Sequence, residues 1–505
     1  MSVTSQGAST LTSRALAPAA TAAAGLLLVI AAVVLAPIST AALVAIGVVL
    51  LGLVAYAAVR WPRAAIVVVV LAPILDRYVV GGLLPSAVEG VAHYLSEGLL
   101  VVVGLTLAVR AWRAGRLGQA IRHPVLWATL AFVGVAAVSA IVNGVPPLVA
   151  LVGIGFTVDA VAVFFLPRLV GFDLRQSLIA VAAFVAVVTA AALVVLLQAL
   201  LSPDIFGLSF VTGRFGEIYR LAAFIGDPNV FGTFAAAASP FVLLAATSLS
   251  RPRWRWLAIG LAFLLLLTLW LSFSRGAWLA MAIGAVLVLL MVDRRTFLLA
   301  IGMLALAFVV AQVMPRDLAL PSGGTGQPRP DLVDSTIGRV DTVGSGRDLR
   351  TLFVINAVPI LRDHPAVGVG PGRYGGAAAD MFGTPIYERY GTDELFTVAT
   401  QRTVDNFWLH LVVETGLLGL AAFLAAALSA GIPVLRAARR ARGWWRVLLG
   451  GAAAGSAALA VSAVSTMLLE ANSVAFVFWF LLGLAGLSVP AVGSRAGAAE
   501  APAAR

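Results

Sequence analysis

The residues able to carry chemistry gather at a few places in an otherwise apolar chain. The stretch TVDNFWLHLVVETGLLGL, residues 403–420, opens an apolar run with Asp405, Asn406, His410 and Glu414. These types offer acid–base and hydrogen-bonding chemistry where a membrane helix should begin. Asp405 and Asn406 also suit a plain helix N-cap. His410 and Glu414 stand one helical turn apart, the spacing of a metal pair, but no third ligand is spaced to join them.

Two further stretches place polar groups at membrane depth, where an ionisable side chain costs about 2.5–3.5 kcal/mol on insertion scales. In YRLAAFIGDPNVFGTF, Arg220 stands at the mouth of an apolar segment, with Asp227, Pro228 and Asn229 two turns in. Inside a helix Pro228 frees a backbone carbonyl, and Asp227 and Asn229 either satisfy that kink or line a cavity. In WLSFSRGAWLAM, Ser274, Arg275 and Gly276 interrupt an apolar run, so the chain must turn back there. Arg275 falls on the side where topology supplies no reason for an arginine, so it points to an anionic partner or to an ordinary turn with a snorkelling side chain.

Asp159 and the group Asp76, Arg77, Glu89, His93 and Glu97 read as structural pairs rather than as a cavity wall. GVGPGRY, residues 368–374, is similar to a phosphate-cradling glycine loop but lacks the P-loop spacing. His364, before Pro365, reads as a loop cap.

Composition sets the frame. Of 505 residues 61% are hydrophobic and 11% charged, more apolar surface than a soluble fold can hide. All 34 basic residues are arginine, and they cluster in short loops between apolar runs. This is the pattern of cytoplasmic membrane loops, and it excludes nucleic acid as partner despite a formal charge of +11. With no cysteine, disulfides, thiolate metal sites and thiol nucleophiles are excluded, and catalysis must rest on Asp, Glu, His, Arg, Ser or Tyr.

Fourteen apolar windows are long enough to span a bilayer: 16–36, 40–59, 64–80, 91–109, 124–142, 148–167, 176–201, 221–249, 257–273, 276–292, 297–314, 404–432, 447–469 and 474–490. The third and tenth are short or flanked by polar residues. The expected class is an all-α polytopic membrane protein with about 12–14 transmembrane helices and one large extracytoplasmic loop. Arginine placement orients the chain with both termini cytoplasmic. The expected organisation is an N-terminal tail (1–15), a first set of helices (16–314), an extracytoplasmic loop domain (315–403), a second set (404–490) and a C-terminal tail (491–505). The loop's first part is rich in Gly, Pro, Ser and Thr. Its second part predicts a helix through Leu349, Leu352, Phe353, Asn356, Ile360 and Leu361, ended by Pro365.

Asp405 and Asn406, followed after nine residues by Gly416 and then Gly419, resemble the signature of the O-antigen ligase family, in which a histidine precedes Asn, Ser or Gln. Arg275 with Leu279 resembles that family's arginine-leucine signature. GDPN and RDHPAVGVGPGRY also resemble the wider ligase and polymerase superfamily, and the likeness covers roughly Arg220 to Leu420. One departure is plain: Asp405 stands where the family has its histidine.

The resemblance implies a GT-C-like membrane glycosyltransferase of the cell membrane, acting without metal or cofactor at the extracytoplasmic face. Its donor would be a glycan on a polyprenyl-pyrophosphate carrier, and its acceptor a hydroxyl of a glycan, lipid or cell-wall component. Pyrophosphate departure then calls for fixed guanidinium groups. Arg275 and Arg220 are the candidates, with Arg347, Arg350 and Arg373 as lids from the loop. Asp405 is the candidate base, while Asn406, Asp227, Asn229 and His410 contact substrate. The alternative reading is a transporter of a lipid-linked glycan or small anion. Such a protein should hold its charges near the bilayer midplane, whereas Arg220, Arg275 and Asp405 all lie near the outer mouth.

Overall fold

The computed structural model describes residues 51–75, 95–201, 220–313, 349–392 and 403–500, with side chains placed up to residue 489. Among these residues the fold is helical, with no strand. The first predicted span, most of the second, and Asp76, Arg77, Glu89, His93 and Arg347 lie outside the described residues.

The helices used below are α1 (Leu51–Arg60), α2 (Pro62–Leu71), α3 (Leu95–Arg113), α4 (Pro124–Val142), α5 (Pro147–Val158), α6 (Val161–Val170), α7 (Leu174–Leu200) and α8 (Pro228–Ser248). They continue with α9 (Pro252–Leu271), α10 (Arg275–Val292), α11 (Arg294–Val313), α12 (Leu349–Asp363), α13 (Phe407–Arg440), α14 (Trp444–Ser462) and α15 (Asn472–Glu500). Among the described residues ten helices are long and apolar enough to cross a membrane, and α5 with α6 pass the same test only as a bent pair. The chain is a multi-pass membrane protein. The predicted helix 148–167 is therefore two pieces meeting at 53° around Asp159, whose carboxylate accepts the Ala160 N–H exposed by the break.

Local sequence sets the helix starts. Asp173 and Gln176 form a reciprocal capping box at α7, and Pro at the first turn opens α4, α5, α8 and α9. The same rule corrects the reading of GDPN. The helix expected over 221–249 begins only at Pro228, so the proline kinks nothing, and Asp227 is the N-cap, accepting from Asn229 N at 2.7 Å and Val230 N at 3.3 Å.

α8 is the centre of the bundle. α14 and α9 pack closely on it, with Gly451 and Gly455 of α14 against Phe241 and Ala237, and 83% of its span is buried, so its sequence faces protein rather than lipid. α13 packs on α4, and α6 packs on α15 through the edge-to-face ring pair of Phe164 and Trp479. α10 contains a π-helical stretch, Ala280–Ala285, in which Gly284 lies against the Ala457 and Ala458 backbone of α14.

α12 forms where predicted, and Phe353, Ala357 and Ile360 give it one buried face, spaced four and three residues apart. That face joins Tyr374, Tyr387, Val404 and Val413 in a small second core outside the main bundle. This core seats the loop domain on the start of α13.

Candidate active site

α13 is broken at Gly416, which has φ +67° and ψ −173°, a combination reserved for glycine. The break leaves helical donors and acceptors without partners, and the segment after α12 supplies them. Leu417 N donates to Pro365 O at 2.9 Å and Leu418 N to Ala366 O at 3.1 Å. Val369 N and Gly370 N donate to Val413 O at 3.0 Å and Glu414 O at 2.9 Å. The second half of the glycine signature thus marks a helix break filled by RDHPAVGVGPGRY. Close helix packing, the reading its glycines suggest, is a lesser part of its work.

GVGPGRY does cradle an acid, and the acid belongs to the chain itself. The Glu414 carboxyl accepts from Gly372 N at 2.8 Å and Tyr374 N at 2.7 Å. His410, also buried, donates through Nδ1 to Tyr374 O, with that nitrogen 3.8 Å from Glu414 Oε1. A Cβ on Gly153 would fall 2.5 Å from Gly372 N, so the loop sinks against α5. Arg373, expected as a lid, is spent on this seat, donating to the carbonyls of Asn143 at 3.0 Å and Gly144 at 2.9 Å. His410, expected to contact substrate, is likewise engaged with the loop.

The loop leads back to Asp405. Val404 N donates to Gly375 O at 2.9 Å, tying residues 403–406 to the loop's end. Asn406 is the N-cap of α13, its Oδ1 accepting from Leu409 N at 3.0 Å. Asp405 has no capping role and faces a cavity of about 220 Å³ lined by Arg350, Phe353, Val404, Asn406 and Val464 among others. Arg350 Nη2 lies 3.4 Å from Asp405 Oδ2, while the buried Arg350 Nε has no hydrogen-bond partner among the described residues.

The other candidates stand at the same end. Arg220 Nη2 donates to Asn229 Oδ1 at 2.7 Å and its Nε to Ser272 O at 3.3 Å. Ser274 Oγ donates to the same Asn229 oxygen at 2.9 Å, so one amide links the Arg220 segment to the turn that carries Arg275. That turn is tight, with Phe273 at φ +51°, and Ser274 caps the short helical start from Arg275. Gly276 packs on Ser465, next to the cavity residue Val464. Leu279, second member of the arginine-leucine pair, is exposed and does not line the cavity.

The electrostatics favour a basic carboxylate. Burial pushes the Asp405 carboxyl above its usual range, the Arg350 charge and hydrogen bond pull it down, Asp227 adds a push up, and Arg220 a pull down; the net direction is upward. That Asp227 and Arg220 act on Asp405 at all puts the four groups in one electrostatic neighbourhood.

Sequence reasoning missed Glu470, Ser272, Ser274 as a linker, and the carbonyls of Asn143 and Gly144. Glu470 was findable, being a lone carboxylate between the two last apolar runs. The others act through backbone or as partners of a group already singled out, and leave no pattern.

No curated protein matches the chain. Residues 260–424 match the family model described as O-antigen ligase, a region that runs from α9 across the loop domain and past the Gly416 break. About a third of the chain thus carries an O-antigen ligase domain, which supports membership of the O-antigen ligase superfamily.

Proposed function

We propose that the protein transfers a glycan from a polyprenyl-pyrophosphate carrier to a hydroxyl acceptor at the outer face of the cell membrane. The observation that carries this reading is that Asp405 and Arg350 face one cavity, with Arg220 and Asp227 near enough to act on the Asp405 charge and with Arg220 linked through Asn229 to the turn that carries Arg275.

In the reaction, Asp405 accepts the proton of the acceptor hydroxyl as its oxygen bonds to the anomeric carbon. The bond from that carbon to the pyrophosphate oxygen breaks, and polyprenyl pyrophosphate leaves with the electron pair. Arg350 has donors to spare, Nε among them, and with Arg220 and Arg275 would receive the developing phosphate charge as guanidinium forks. Asn229 holds Arg220 in place, and the raised basicity of Asp405 matches the base that the family's histidine would supply.

The test is transfer by purified protein in liposomes containing lipid-linked oligosaccharide, following released polyprenyl pyrophosphate and glycan size. Wild type should release the carrier, and folded Asp405→Asn and Arg275→Ala should not. A ladder of longer glycans identifies a polymerase, and a single addition a ligase. Solute uptake without glycan product supports the transporter reading instead.

A further inference from the structure

The buried acid-base group of α13 has no place in the chemistry just described, yet its side chains are closely engaged with the loop. Three side chains hold one stretch of backbone. Glu414 takes the N–H groups of Gly372 and Tyr374, His410 takes the Tyr374 carbonyl, and Glu470 Oε1 takes Ala377 N at 3.2 Å. Glu470 comes from the connection between α14 and α15, so the stretch is gripped from two parts of the bundle.

Gly375 lies inside this grip, and its position is set on both sides. Its N–H donates to Tyr387 Oη at 2.8 Å, and its carbonyl receives Val404 N. A Cβ on Gly375 would fall 2.4 Å from a Val404 methyl, and one on Gly376 2.5 Å from the His410 ring, so the contacts leave no slack. Asp405 follows Val404 directly.

We infer that Glu414, His410 and Glu470 are positioning residues, a clamp on residues 372–377 that fixes through Gly375 and Val404 where the Asp405 carboxylate stands in the cavity. This rests on the transferase reading, in which Asp405 is the base. Glu414 is the chief member, because it alone supplies two acceptors to the loop. A glutamine there keeps the shape but offers one oxygen, and its amide N–H₂ faces a backbone N–H. A base displaced by about 1 Å costs on the order of 100-fold in rate with little effect on binding of the rest of the substrate.

The experiment uses full-length protein in donor-containing liposomes and compares wild type, Glu414→Gln, Glu470→Gln and Asp405→Asn. For Glu414→Gln we expect kcat per folded molecule about 10- to 100-fold lower, KM for the lipid-linked donor within about twofold, and a displaced pH profile of kcat. Glu470→Gln, which weakens a single contact, should show a smaller fall of the same kind. If the role is only structural, lost activity will track lost folded protein and kcat per folded molecule will be unchanged, which overturns the inference. Full activity in Asp405→Asn sinks the base assignment itself, whereas a dead Asp405→Asn beside an unimpaired Glu414→Gln sinks the clamp alone. Should the clamp variants fail to fold, hydrogen exchange on wild type decides: slow exchange across residues 370–377 supports the clamp, and exchange as fast as in an open loop refutes it.

Discussion

Arg350, on α12, and Asp405, just before the N-cap of α13, face each other at 3.4 Å across the cavity. Among the described residues lining the cavity, the contact joins the arginine to the carboxylate. Its two halves are 38% and 46% exposed, so it contributes little to stability and is available for chemistry.

Replacing Asp405 by asparagine should lower transfer by about 100- to 10,000-fold while leaving the fold intact. The linkage sign supports the second part. The folded-state pKa of Asp405 lies above the unfolded one, so protonation favours the folded state and stability is lost as pH rises through the folded pKa. At neutral pH the ionised group is a small burden that Asn lacks. Thermal melting of Asp405→Asn should therefore match or slightly exceed wild type, and a fall of several degrees would contradict this account.

Arg350→Gln removes the strongest pull holding the Asp405 pKa down. The acidic limb of the kcat/KM profile should then move to higher pH, and the donor KM should rise. A limb that stays put or moves to lower pH means that Arg350 does not act on the catalytic carboxylate. Stability should change by less than about 1 kcal/mol, measured by denaturant or thermal unfolding.

Gly416→Ala should cost more than about 3 kcal/mol, because strained backbone and steric overlap combine. The new Cβ would sit 2.2 Å from Ala366 O, in a conformation that L residues avoid. Gly431→Ala, in the same helix with its nearest neighbour 4.0 Å from the new Cβ, should be neutral or gain about 0.5–1 kcal/mol. Equal melting of the two variants would show that the break is not required.

The orientation of the chain is testable because it contains no cysteine. A single cysteine at Thr351, which lines the cavity, should react with a membrane-impermeant maleimide applied to intact cells. One at the exposed Arg253, in the first turn of α9, should react only after permeabilisation. The reverse pattern inverts the topology proposed from arginine placement.

Much of this architecture was legible in the sequence because lipid imposes a simple code. Apolar length gave the spans from α3 onward, and the periodicity of Phe353 and Ile360 gave the buried face of α12. What escaped was backbone conformation inside apolar runs. Nothing in the hydropathy of 148–167 marks the bend at Asp159, and Gly416 looks like any small packing residue until its φ is known. In the candidate site, Asp405, Arg220 and Asn229 stand out by type, since polar groups in lipid are conspicuous. Which way they point was not. Arg373 and His410 were equally conspicuous and serve the loop instead.

The interlocking of residues 365–370 with the break in α13 has a consequence for engineering. Each strand of that junction completes the hydrogen bonds of the other, so neither is a module. A chimera that grafts an outer loop from a relative to change acceptor preference should carry residues 413–419 along with it. Recombination points belong upstream of α12 and in the lower half of α13, where the helix is regular again.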